Sequence, residues 1–198
     1  MARSNITLGD AEIRLALRAR LLVDQGEGEA MVIDELGVCR GQVRIDLAVV
    51  NGVLHGYEIK SDRDSLRRLE GQIELYSKVL DRVTLVVGDR HLAKAVNIVP
   101  CWWGVLRVHA NQNGPRFKTV RRERKNPCRD ARSLVELLWL DDAIALLARC
   151  DAARGVRGKP RRIVWDRVCE YFELDEIAAA VRARLKARAA SQVALRPS

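Results

Sequence analysis

The sequence lacks the features that mark disulfide-bonded, metal-clustered or membrane-spanning proteins. Its five cysteines are scattered and include no Cys-x-x-Cys pair, which excludes the spacing of a zinc or iron–sulfur site. Such cysteines are typical of reduced thiols in the cytoplasm. No apolar run reaches the roughly 18 residues of a membrane span, and the N-terminal segment has no apolar signal core. We therefore expect a cytoplasmic protein with no membrane partner.

Acidic residues are also scarce relative to basic ones. The 198 residues include 35 Lys and Arg against 26 Asp and Glu, for a formal net charge of +9, and no acid follows Glu176. This balance makes a phosphate-bearing partner the first to consider. Hydrophobic residues make up 48% of the chain, which excludes global disorder. The length fits one α/β domain with a smaller appendage.

Hydrophobic periodicity predicts the order helix, three strands, helix, strand, helical turn, strand. The expected bounds are a helix over 10–23, strands over 30–36, 42–50 and 53–60, a helix from Ser61-x-x-Asp64 to about 80, a strand over 82–87, a helical turn over 91–97 and a strand over 103–108. This order indicates a mixed sheet flanked by helices.

The composition changes near residue 111. A basic run from Arg116 to Lys125 ends at Asn126-Pro127, a natural boundary. A leucine-rich amphipathic helix is expected over 130–150, and two more helical stretches follow a linker over 155–160. We therefore divide the chain into a sheet domain, 1–125, and a basic helical region, 126–198.

The predicted hairpin around Asn51-Gly52 carries two acids and a lysine. Because side chains alternate along a strand, Glu58 and Lys60 share one face. A three-residue loop over 50–52, with a left-handed Gly52, would bring Asp46 to that face, opposite Gly56 and diagonal to Glu58. Burial favours this parity, because it gathers the apolar residues on the other face: Ile45, Leu47, Val49, Tyr57 and Ile59.

Two carboxylates placed this closely repel each other unless a cation lies between them or one is protonated. Carboxylate oxygens suit Mg²⁺ or Mn²⁺, which also accept phosphate oxygens as ligands. A neighbouring lysine can orient or deprotonate an attacking water. The constellation of Asp46, Glu58 and Lys60 is therefore suited to metal-dependent phosphodiester hydrolysis.

These residues resemble the central motif of the PD-(D/E)xK nuclease superfamily, written here Ile45-Asp46 … Glu58-Ile59-Lys60. Gln72-x-x-x-Tyr76 is similar to the Q-x₃-Y motif of its RecB-like branch, although the four-cysteine cluster of some RecB-like members is missing and Ile45 replaces the proline. The resemblance covers about residues 10–110. It implies an α/β fold with a restriction-endonuclease-like αβββαβ core, to which this chain adds a C-terminal helical extension. It also implies metal ligands at Asp46 and Glu58, a supporting acid at Glu12, Lys60 at the attacking water and Gln72 in the active site.

The supporting residues each have a structural interpretation as well. Glu35 ends the first strand, either as a further metal-binding acid or as an exposed strand end. Glu12 is alternatively a first-turn acid that favours the helix N-terminus. Gln72 either serves the site or caps a buried backbone group. Tyr76 either contacts nucleic acid or packs in the core.

Several cations are candidates for nucleic-acid binding, or else belong to solvated faces. They are Arg67 and Arg68 after the Glu-x-Lys strand, and Lys118, Arg121 and Arg122 in the basic run. The expected function is a Mg²⁺- or Mn²⁺-dependent deoxyribonuclease. The alternatives are a catalytically silent nucleic-acid-binding module of the same fold, and a defence-type nuclease whose C-terminal helices bind a protein. A homodimer, the DNA form and endonuclease against exonuclease action stay open.

Overall fold

The computed structural model describes residues 8–25, 30–112 and 114–194, which form one mixed sheet packed between helices. Over those residues the elements in chain order are α1 (Asp10–Gln25), β1 (Met31–Val38), a 3₁₀ turn (Cys39–Gly41), β2 (Val43–Asn51), β3 (Val53–Lys60), α2 (Leu69–Val79), β4 (Arg82–Gly88), α3 (Asp89–Ile98), β5 (Gly104–Asn111), β6 (Gly114–Arg121), α4 (Ala131–Val135), α5 (Leu140–Ala148), α6 (Arg161–Tyr171) and α7 (Leu174–Ala194). None of the described helices is long and apolar enough to cross a membrane.

The sheet runs β1-β2-β3-β4-β5-β6. Strands β1, β2 and β3 are antiparallel neighbours, β3, β4 and β5 are parallel, and β6 returns antiparallel along β5. The predicted mixed α/β sheet is therefore confirmed. The parallel strands need crossover connections, which α2 and α3 provide.

One face of the sheet is covered by α1. Its apolar residues recur every four positions, which places them on one stripe of a helix. Ile13, Leu17 and Leu21 form this stripe and pack on residues of the central strands, including Leu47, Val49, Ile59, Val86 and Leu106. The predicted first helix is present at this position.

The opposite face is covered by α2, α3 and the C-terminal helices, which share one core with the sheet. Tyr76 and Trp103 are fully buried in it, together with residues from α4 to α7 such as Leu134, Leu147 and Val181. The region 126–198 thus packs directly on the sheet, and its separation from 1–125 stays a prediction.

The β2–β3 hairpin has the predicted parity but a register shifted by two residues. Pairs run from Leu47–Tyr57 to Asn51–Val53, so Ala48, and not Asp46, faces Gly56. The left-handed Gly52 is present, with a φ of 66°. The shift extends the pairing and buries another cross-strand pair, Val50 and Leu54. The regular pairing of β2 with β3 ends at Leu47–Tyr57, one residue before Asp46 along β2.

The strict alternation expected along β2 is interrupted at Asp46. Leu47 packs under α1 as predicted, but Ile45 packs in the core on the α2 side, against Gly56. On the neighbouring strand Glu35 adopts a left-handed φ of 51° between the pairs that flank it. Irregular pairing of this kind redirects side chains. The prediction that Ile45 shares a face with Leu47 is therefore wrong.

Other boundaries also differ. The Ser61 amide donates to Asp64 Oδ2 at 2.7 Å, but this contact closes a turn, and the helix begins only at Leu69. The single helix expected over 130–150 is two helices, α4 and α5, separated by a turn. Strand β6 was not predicted. It is the sheet edge, begins Gly114-Pro115 and carries cations, so it has little of the hydrophobic pattern of a strand.

Candidate active site

A cleft of about 570 Å³ opens where β3 ends, between the first turn of α1, the β1–β2 turn and α2. Carboxyl ends of parallel strands are common ligand sites in α/β sheets. The cleft is lined by charged and polar residues of four segments: Asp10, Arg14, Gln42, Arg44, Asp46, Glu58, Lys60, Asp64, Arg68 and Gln72. The structure thus brings Asp46, Glu58, Lys60 and Gln72 together, from β2, β3 and α2.

Asp46 is held from both sides. Its Oδ2 accepts the backbone N–H of Ile59 at 2.7 Å, and its Oδ1 accepts from Arg14 Nη2 at 2.9 Å. The side chain is 21% exposed. A strand side chain that bonds a neighbouring strand's amide replaces a ladder bond, which is consistent with the interrupted pairing at this position.

Burial raises the pKa of Asp46 from its ordinary 3.8 to about 6, and the nearby Glu58 carboxylate adds to the rise. The Ile59 amide and Arg14 oppose the rise without cancelling it. Ionising Asp46 therefore costs more than ionising an exposed aspartate, and a cation between the two carboxylates would relieve the repulsion.

Glu58 is 2% exposed and bonded at both oxygens. Oε1 accepts from Lys60 Nζ at 2.5 Å and from Gln72 Nε2 at 2.6 Å, and Oε2 lies 2.7 Å from the Tyr76 hydroxyl. A buried charge pair needs such further hydrogen bonds to offset the cost of desolvation. Gln72 and Tyr76 lie one helical turn apart on α2, so both reach the same carboxylate.

The Tyr76 hydroxyl also lies 2.6 Å from the backbone carbonyl oxygen of Arg44. Its single hydrogen is therefore shared between two acceptors, Glu58 and this carbonyl. Burial and the Glu58 carboxylate raise the pKa of Tyr76. Tyr76 is completely buried, so it both packs in the core and fixes Glu58. Gln72 Oε1 is buried and has no hydrogen-bond partner among the described residues.

Two charged residues of α1, Asp10 and Arg14, line the cleft, and neither is among the predicted site residues. Arg14 bonds Asp46, Asp10 at 3.3 Å and Glu35 at 3.0 Å. A signal was present, because Asp10 and Arg14 are an i,i+4 pair on the helix side flanking the Ile13 stripe. Arg14 thereby gathers three acids, and the predicted Glu35 comes to the rim of the site only through this guanidinium and Arg44.

Glu12 lies elsewhere. Its exposed carboxylate accepts the backbone N–H of Gly9 at 2.8 Å, which satisfies a free donor at the start of α1. The structure therefore places Asp10, and not Glu12, beside the cleft. The observed contact of Glu12 is thus the one expected of an acid at a helix N-terminus.

The predicted nucleic-acid contacts are dispersed. Arg68 lines the cleft, whereas Arg67 is exposed and lies outside its lining. On the edge strand and just beyond it, Lys118 and Arg122 are exposed. Arg121 instead donates to the backbone carbonyls of Trp103 at 2.8 Å and Pro100 at 2.9 Å, so it joins β6 to the loop before β5.

Within the described residues no group of three or more His, Cys, Asp or Glu side chains has the geometry of a metal site. Asp46 and Glu58 lie close enough in the cleft for the Glu58 charge to raise the pKa of Asp46. Both already accept hydrogen bonds from cationic side chains.

Comparison with known proteins assigns the family. The profile of the bacteriophage P4 protein cII family matches residues 4–196, nearly the whole chain. The chain belongs to the bacteriophage P4 protein cII family. Within this family, Protein cII of Enterobacteria phage P4 is 33% identical over 117 residues, which are 59% of this chain and 44% of that protein. The matched segment thus spans less than half of the length of this curated relative.

Two solved structures are remotely similar. A protein of unknown function from Silicibacter pomeroyi, SPO1766, has a TM-score of 0.42 at 21% identity, over 80% of this chain and 97% of that one. SfsA of Pyrococcus furiosus, solved in complex with Ca²⁺, has a TM-score of 0.35 at 14% identity, over 61% of this chain and 67% of that one. Both are too distant to assign the fold in detail or the function.

Proposed function

We propose that this chain is a divalent-metal-dependent nuclease that hydrolyses DNA phosphodiester bonds, built on a restriction-endonuclease-like αβββαβ core. The observation that supports this most is the convergence of Asp46, Glu58 and Lys60 at the carboxyl end of β3, in a cleft that also contains Arg14 and Arg68. Buried acids with a raised pKa in a cleft are typical of functional sites.

The donor set fits Mg²⁺ or Mn²⁺. Mg²⁺ usually takes one or two protein carboxylates and completes its shell with water and phosphate oxygens. Asp46 and Glu58 would hold the ion, and the unpaired Gln72 Oε1 would accept from a water in its shell. When bound, the ion would polarise the phosphodiester and lower the pKa of a coordinated water.

Residues of the chain itself would position the attacking water and the phosphates. Lys60 has three donors, one of which is used on Glu58, so two are left for the attacking water and a phosphate oxygen. Arg68, which lines the cleft, would bind a flanking phosphate. The choice of DNA over RNA rests on the resemblance to PD-(D/E)xK nucleases, since no motif reads a 2′-hydroxyl.

The test is cleavage of end-labelled single-stranded, duplex and branched DNA with Mn²⁺ or Mg²⁺. Asp46→Ala and Lys60→Ala should each abolish cutting, as should EDTA. Lys78→Ala, on the exposed side of α2 in an ion pair with Glu74, is the matched control and should cut like wild type. Cutting that survives both site substitutions would refute the proposed site.

A second candidate is a catalytically silent nucleic-acid-binding module. One observation favours it: Arg14 and Lys60 already neutralise the two carboxylates, as they would in a site that had no metal to bind. This candidate predicts DNA binding with every substrate left intact, and no thermal stabilisation of the wild type by Mn²⁺.

A further inference from the structure

We propose that a second groove, on the C-terminal helices, binds single-stranded nucleic acid that continues out of the candidate active site. The identity of the ligand rests on the proposed function, but its binding does not require cleavage. The groove measures about 560 Å³ and lies between the β1–β2 turn and the helices α4, α6 and α7.

The groove is strongly cationic. It is lined by five arginines, and Glu136 is the one carboxylate that lines it among the described residues. Arg40, Arg161 and Arg162 are exposed and make no ion pair within that part of the chain. Cations that no acid neutralises are the usual contacts for phosphates, because binding releases condensed counterions. An acidic ligand is therefore favoured by charge.

A single exposed aromatic residue sits in the same groove. Trp139 is 64% exposed, whereas the other three tryptophans, Trp102, Trp103 and Trp165, are buried. The Arg188 guanidinium lies over the Trp139 ring, 4.1 Å from its centroid, and is itself bonded to Asp142 and the carbonyl of Leu137. This network fixes the ring beside the cations. An exposed, fixed indole is a platform on which a base stacks.

Two residues of the groove lining, Arg132 and Trp165, each carry a buried donor without an acceptor in the described part of the chain. Arg132 Nη1 and Trp165 Nε1 are buried and have no hydrogen-bond partner among the described residues. Buried donors are normally satisfied, so an unpaired donor calls for an acceptor from outside the chain or a small rearrangement that supplies one. Phosphate and base oxygens are such acceptors.

The groove and the candidate active site meet at one turn. Gly41 lines both, with Arg40 on the side of the groove and Gln42 on the side of the cleft. Cys39, Arg40 and Gly41 have left-handed φ values of 49°, 59° and 80°. Such conformations are costly for residues other than glycine and are concentrated at functional sites. The strained turn holds Arg40 where the two depressions join.

A single strand fits better than a duplex or an acidic protein. Stacking on Trp139 requires an unpaired base, since paired bases present only their edges. A strand with one base on Trp139 and its phosphates on Arg40, Arg161 and Arg162 would lead directly past Gly41 to Asp46. This assignment makes the substrate of the proposed nuclease a single strand or a single-stranded arm.

The experiment measures binding of labelled oligo-dT and of a matched duplex by fluorescence anisotropy in EDTA, where no cleavage occurs. Trp139→Ala should weaken oligo-dT binding about 5- to 150-fold, the range for loss of one stacked base. Arg161→Ala with Arg162→Ala should reduce the salt slope, d log K/d log [salt], by about 1.4 for two single-strand phosphate contacts. Arg149→Ala with Arg157→Ala, two exposed arginines outside both depressions, is the charge-matched control and should bind like wild type.

Intrinsic fluorescence gives a second readout. Because Trp139 is the exposed tryptophan, oligo-dT should protect wild-type emission from iodide quenching, and Trp139→Phe should abolish that protection while the protein still melts like wild type. Groove variants that bind like wild type, or a duplex that binds more tightly than oligo-dT, would overturn the proposal. Both results leave the cleavage test with Asp46→Ala unaffected, so the two proposals fail separately.

Discussion

Replacing Asp46 by Asn should stabilise the protein at alkaline pH. Asn keeps an acceptor for the Ile59 amide but cannot ionise. The pKa of Asp46 is about 6 in the folded chain against an ordinary 3.8, and at about 1.36 kcal/mol per pH unit the ionised form costs about 3 kcal/mol of stability. This penalty is absent below pH 3.8, grows as the pH rises to 6, and is complete above it.

Urea unfolding of wild type and Asp46→Asn at pH 4, 6 and 8 measures this cost of ionising Asp46. The variant should match wild type at pH 4 and exceed its free energy of unfolding by about 2–3 kcal/mol at pH 8, a difference that already includes the ion pair with Arg14. Asp34→Asn, on the neighbouring strand β1 in an exposed pair with Arg18, should change stability by well under 1 kcal/mol. A variant that is less stable than wild type at pH 8, or a difference that is constant with pH, would refute the reasoning.

Three further predictions concern charged groups. Arg14→Ala frees Asp46 Oδ1, so Mn²⁺ should bind more tightly by isothermal titration calorimetry, and unchanged affinity would mean that Arg14 does not compete with the ion. Asp81→Ala leaves the buried Arg129 with only the exposed Asp175 as a partner and should cost about 3–5 kcal/mol in urea unfolding, far more than loss of an exposed pair. Burial lowers the pKa of His55 to about 3, so between pH 6.5 and 3 this residue should remove about 1.4 kcal/mol of stability per pH unit, which Asp46 offsets in wild type between pH 6 and 3.8. His55→Gln should remove this loss, and a variant as acid-sensitive as wild type would contradict it.

The β2–β3 hairpin shows how much of a strand's geometry the alternation of apolar and polar residues can predict. The two-residue alternation of a strand correctly places Leu47 and Val49 under α1, because shifting the strand by one residue would expose both side chains. It did not set the register to within two residues, since both registers have the same parity and differ only in how far β2 and β3 pair toward Gly52. Nor does alternation anticipate the interruption at Asp46, where a side chain replaces a backbone ladder bond.

Helix α1 was predicted, but not the acid that it presents to the cleft. Asp10 and Glu12 are two positions apart, which is about 200° around a helix. A backbone contact determines which of the two acids faces the cleft, because Glu12 turns back to the free amide of Gly9. Hydrophobic periodicity identifies the apolar face of a helix. The direction of a polar side chain depends instead on the donors and acceptors around it, which come together only in the folded chain.

The Asp81 carboxylate, at the opposite end of β3 from Lys60, affects the order in which the chain folds. Asp81, 7% exposed, bonds the Leu54 amide at 2.7 Å, Arg129 at 2.6 Å and Arg182 at 3.1 Å. Arg182 is 101 positions along the chain from Asp81. Contacts of such separation form late, because a long loop must close first. During synthesis the buried Asp81 carboxylate therefore lacks its Arg182 partner until α7 has been made, about 100 residues after the sheet strand that it borders.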